Sequence, residues 1–139
     1  MMLQNLRDHC DAVEECYEFM LAYAAQGLPR DSGSSSGEKL RGLLRRAVEA
    51  ASLLPGAYEA AISQEGLQPV EKHRVFLSVL TRDAGDALAA IELVLAQPVI
   101  SSQLIDNLNA SIHLRALLTD LFLIDEIAKV GRSVPNSIS

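Results

Sequence analysis

LQNLRDHCDAVEECYEFMLAYA, residues 3–24, sets the fold class. Its apolar members Leu3, Leu6, Cys10, Val13, Tyr17, Met20 and Ala24 recur at steps of three and four, the repeat of one face of an α-helix. Cys16, Phe19 and Tyr23 widen that stripe, while Arg7, Asp11, Glu14 and Glu18 fall on the other side. The pattern predicts a helix over about 3–26. Gly27 is placed to cap it, and Pro29 stands where a helix cannot continue.

The same repeat returns three times. Leu40, Leu43, Leu44, Ala47, Ala51, Leu54, Tyr58 and Ile62 mark a second helix over about 36–64, opened by a capping box of Ser35 and Glu38. Pro55 lies inside it and removes one backbone bond. The stripe resumes in phase beyond it, so a bend at Pro55 is expected, with two shorter helices as the alternative. The break Glu65-Gly66-Leu67-Gln68-Pro69 precedes a third helix carrying His73, Leu77, Leu80, Ala84, Ala87, Ile91 and Val94, which ends at Gln97-Pro98. A fourth helix is expected from Ser101 or Ser102 to about Val130, capped by Gly131 and apolar around most of its girth: Leu104, Leu108, Ile112, Leu114, Leu118, Leu121, Phe122 and Ile124. A narrow polar strip of Asp106, Asn109, His113 and Asp120 remains on it.

No alternating strand pattern and no internal repeat competes. The expectation is an all-α, antiparallel four-helix bundle, up-down-up-down, with its second helix bent at Pro55. It forms one domain over 1–131, with a flexible tail at 132–139. Residues 28–37, Leu-Pro-Arg-Asp-Ser-Gly-Ser-Ser-Ser-Gly, are small and polar and are expected to form a mobile loop within that domain.

A chain of 139 residues is long enough to bury a core without a metal or disulfides. Hydrophobic residues make up 49% and aromatic residues only 4%, so aliphatic side chains must fill that core. The formal net charge of −6 repels a phosphate backbone, which argues against nucleic acid and against an anionic membrane surface. No run of about 20 apolar residues is present, and the N-terminus lacks the basic start and apolar run of a secretory signal. Two cysteines, Cys10 and Cys16, read as reduced thiols. Together these point to a cytoplasmic location.

Catalytic and cofactor signatures are weak throughout. A di-iron bundle needs Glu-x-x-His pairs, and the chain has none. Asp106, His113 and Asp120 share a strip at steps of seven, but three such groups on one helix need help from elsewhere to hold a metal. His9, His73 and His113 lack the surroundings of a phosphoryl acceptor, and His73 reads as a satisfied core residue. There is no GxSxG elbow and no strand to carry one. No cofactor or metal is expected.

Two surface features remain. Lys39, Arg41, Arg45 and Arg46 open the second helix and form a candidate docking patch for an acidic protein partner or a phosphorylated ligand, against the plainer reading of solvated charges and weak ion pairs. The surplus apolar surface on the first and fourth helices makes Phe19, Tyr23, Leu118 and Phe122 a candidate interface. The reading is a non-enzymatic protein–protein interaction module, adaptor or regulatory protein acting as a homodimer. A helical-bundle enzyme or metalloprotein with a site between helices or subunits is one alternative. A chaperone that shields a partner's amphipathic helix is the other.

Overall fold

The computed structural model describes the backbone of residues 2–133 and the side chains of residues 3–129. It contains α1 (Met2–Ala25), α2 (Ser35–Glu65), α3 (Val70–Leu95), α4 (Ser102–Ala110) and α5 (Ile112–Ser133), with no strand among the described residues. Among the described residues the chain is an all-α bundle of five helices, which corrects the expected four. Of the expected 132–139 tail, residues 132 and 133 belong to α5, and 134–139 lie outside the described residues.

The extra helix arises at Ser111. The continuous stripe expected from 101 to 130 is cut there by one extended residue, with φ −62° and ψ 133°. Ser111 closes α4 through its N–H to Leu108 O (3.0 Å). It opens α5 by accepting from His113 N (3.1 Å) at Oγ and from Arg115 N (3.1 Å) at its carbonyl. A serine that satisfies orphan donors from outside the helix competes with helical continuation, as N-cap residues do. The cut lets the two halves take different neighbours: α4 packs on α1, and α5 packs chiefly on α3.

Neighbouring helices run antiparallel. Leu3 N, at the start of α1, donates to Glu65 Oε2 at the end of α2 (2.7 Å). Arg41, near the start of α2, reaches the carbonyls of Leu95 and Gln97 at the end of α3. Arg7 of α1 pairs with Asp125 near the end of α5 (3.4 Å). α2 continues through Pro55 as a single helix, so the two-helix alternative is not realised. Its N-cap is Ser34, one residue before the expected capping box: Ser34 Oγ accepts from Gly37 N (3.0 Å). Gly66, at φ 63°, ends it in the left-handed conformation that glycine adopts without strain.

The core is aliphatic, as the composition demanded, with Tyr23 and Tyr58 as its largest members beside Met20, Leu40, Leu54 and Ile62. A polar latch ties three connections together at one end. Asp31, in the segment 28–37, is buried, pairs with Arg41 and accepts from Ile100 N (2.7 Å). Tyr23 Oη donates to Ile100 O (2.8 Å), and Ser102 Oγ donates to Tyr23 O (2.6 Å) while accepting from Leu28 N (2.8 Å). The Arg41 hydrogen bond holds the Asp31 carboxyl below the usual carboxylate range, outweighing burial, with the Ile100 bond adding to it. Gly37 is buried against this corner: a Cβ there would lie 1.9 Å from Asp31 O.

Candidate functional site

The four basic residues of α2 divide between two sides of the helix. Successive helical residues turn by about 100°, so Lys39 and Arg46 face one way and Arg41 and Arg45 another. Lys39 places its ammonium 5.1 Å from the Phe19 ring centroid, Arg46 pairs with Glu15 (3.6 Å), and Arg41 belongs to the latch. Arg45 is exposed and makes no ion pair with a described residue.

The four candidate interface residues also separate. Tyr23 and Leu118 lie in the monomer core and offer no surface to a partner. Phe19 is half-buried under Lys39. Phe122 is 54% exposed, and Leu123 and Ile127 beside it on α5 are 49% and 50% exposed.

Next to these residues the ends of three helices leave a cleft of about 240 Å³. Tyr58 of α2 and His73 of α3 line it, with Gln68 and Pro69 from the turn between them. Phe76 contributes from α3, and Leu123, Ile124 and Ile127 form the α5 side. Among the described residues Lys72 is the only charged one in the lining. Tyr58 and His73 are both buried and joined through Oη and Nδ1 at 2.5 Å, with rings 5.8 Å apart and nearly perpendicular. Burial pushes the Tyr58 phenol up to about 12, so it keeps its proton.

The sequence reading placed His73 in the core and missed its partner. A signal was present. Tyr58 and His73 lie on inward stripes at nearly equal distances either side of Gly66, and an antiparallel hairpin brings such residues level. A larger hollow, about 430 Å³, lies at the opposite end against Leu28 and Ser102, but its buried hydroxyl, Ser102 Oγ, is already spent in the latch.

Elsewhere the polar groups are closed in. Burial raises the thiols of Cys10 and Cys16 to about 12, far from a reactive thiolate. Asp120 is buried on α5 opposite Asp83 of α3, with its Oδ2 unpartnered. Burial, followed by the hydrogen bond and charge of Asp83, pushes its carboxyl up to about 7. The strip expected to join Asp106, His113 and Asp120 is broken at Ser111, so the three no longer share one helix. Among the described residues no group of three or more His, Cys, Asp or Glu side chains could hold a metal ion. No helix among them is long and apolar enough to cross a membrane.

Among the described residues the fold is thus an all-α five-helix bundle with a small apolar cleft at a helix junction. No family model, curated protein or solved structure matches the chain.

Proposed function

We propose that this protein is a non-enzymatic interaction module that self-associates through the outward face of α5. The observation that supports this is the pair Phe122 and Leu123, each about half exposed although large and apolar. Exposed apolar side chains gathered on one helix face mark an association surface more often than scattered ones do. Arg115, Thr119, Phe122, Leu123 and Glu126 share this face by helical spacing, and all are exposed.

The charges on it favour a second copy as the occupant. A two-fold axis near residues 119–122 sets two α5 helices antiparallel, so that Arg115 of one copy faces Glu126 of the other. Self-complementary signs around an apolar centre suit an isologous contact. Sedimentation at increasing concentration tests this. A dimer is expected to form at low micromolar concentration, and Phe122→Glu is expected to give a folded monomer. A wild-type chain that stays monomeric at high micromolar concentration would refute the proposal.

A further inference from the structure

We propose that the cleft between the ends of α2, α3 and α5 is a binding site for a small apolar carboxylate, held by His73 and Lys72. It goes beyond self-association, with which it shares Leu123 in the lining, and it stands on His73 and Lys72.

The first observation is an unspent polar atom in an apolar place. His73 is only 7% exposed, yet it lines the cleft. Its Nδ1 is engaged by Tyr58, and Tyr58 is its only side-chain hydrogen-bond partner among the described residues. Among the described residues, the side-chain polar atoms sealed away without a partner belong to Asn109 and Asp120, and Nε2 is not one of them. Nε2 is therefore not sealed away, and we place it toward the cleft that His73 lines.

Tyr58 also decides what Nε2 offers. A phenol is a stronger acid than a neutral imidazole N–H, and an imidazole nitrogen is a stronger acceptor than a phenol oxygen. The Tyr58 O–H accordingly donates to Nδ1, which leaves the proton of neutral His73 on Nε2. The cleft thus contains one fixed N–H donor.

The second observation is charge. Lys72 is exposed at the cleft, and among the described residues no acidic side chain lines it, although the chain as a whole carries a net charge of −6. A carboxylate accepts from Nε2–H and pairs with the Lys72 ammonium, and neither contact requires burying an uncompensated charge. Pro69, Phe76, Ile124 and Ile127 then cover the apolar body.

Size sets the class. A cavity of about 150 Å³ accommodates a benzene ring, and drug-sized sites run from about 300 Å³ upward. The cleft's 240 Å³ therefore suits one ring with a short chain, or an alkyl chain of similar volume.

Nitrogen-15 and carbon-13 NMR of the His73 ring tests the site in the full-length chain, with octanoate, 3-phenylpropanoate and octylamine as probes. In the free protein the ring is expected to carry its proton on Nε2. Both carboxylates are expected to shift the His73 signals saturably, with Kd on the order of 0.1–1 mM, and octylamine to leave them in place. Lys72→Met changes an exposed side chain and is expected to weaken octanoate about tenfold, equivalent to about 1.4 kcal/mol. Proton occupancy of Nδ1 in the free protein, equal binding of octylamine, or octanoate affinity unchanged in Lys72→Met would each overturn the assignment. Absence of any saturable shift with either carboxylate would overturn it too.

Discussion

Two buried carboxyls in this bundle have opposite environments, and their difference shows what a partner does for a charge. Asp31 is met by a guanidinium and a backbone N–H, so its ionised form is favoured. Asp120 is buried with no cation beside it among the described residues and, secondarily, is met by the Asp83 carboxyl, so its protonated form is favoured. The consequence for stability follows from linkage. A folded-state pKa raised to about 7 means that the folded chain binds more protons than the unfolded chain between the ordinary Asp value and that point. Stability from this group is fully present at low pH and is lost as pH rises through about 7. Asp120→Asn is therefore expected to stabilise the protein at pH 8, by about 1–3 kcal/mol, and to have a smaller effect at pH 5. Chemical denaturation at the two pH values reads this directly; equal effects would show that Asp120 ionises normally. Gly37 presents a steric case. With a Cβ 1.9 Å from a backbone oxygen, Gly37→Ala must displace the 31–37 turn, at a cost of about 1–3 kcal/mol. A neutral result in thermal unfolding would mean that the turn adapts freely.

At the scale of elements, one residue converts an expected long helix into α4 and α5. Ser111 caps in both directions, and its side chain satisfies a donor that would otherwise be orphaned at the start of α5. Ser111→Ala is expected to cost about 1 kcal/mol, the usual value of a lost N-cap. The denaturation midpoint should fall with an unchanged slope. No change in midpoint would indicate that packing against α1 and α3 alone enforces the break. The serine and the asparagine at 109 were visible in the sequence as weak helix formers, but the apolar stripe running through them carried the stronger signal. A local preference worth about 1 kcal/mol becomes decisive only when each half gains its own neighbour. At Pro55, where a bend was expected and two shorter helices were the alternative, α2 remains one helix, with its apolar face in phase on both sides.

For the whole molecule, the latch joins the start of α2 and the end of α3 to the connections on either side of them. Asp31 sits at the centre of the only low-complexity segment, 28–37, and links it to Ile100 some seventy positions away. We expect trypsin to cut after the exposed Arg30 slowly in the native chain and markedly faster in Arg41→Ala. The variant loses about 3 kcal/mol, because a buried carboxylate is left without its cation. The two fragments should stay associated, since Leu6, Cys10, Val13, Cys16, Met20 and Tyr23 of α1 remain buried against the rest. Equal cleavage rates in the two proteins would show that the Asp31–Arg41 pair does not govern access to this segment.

The all-α class, three of the helices nearly end to end, and the inward faces of those three were determined by the sequence itself. Apolar spacing of three and four is a local property, and burial of one face is sufficient to read it. The rest depends on which helices become neighbours. The break at Ser111 takes effect through packing on α1 and α3. Lys39, Arg41 and Arg46 near the start of α2 take different partners because helical rotation divides them between two sides. Tyr23 and Leu118 went inside while Phe122 stayed out, because the girth of a helix can be divided between core and surface only once its neighbours are set. The Tyr58–His73 pair, the cleft it lines and the opposed Asp83 and Asp120 are contacts between residues 15 and 37 positions apart, and only chain closure brings them together.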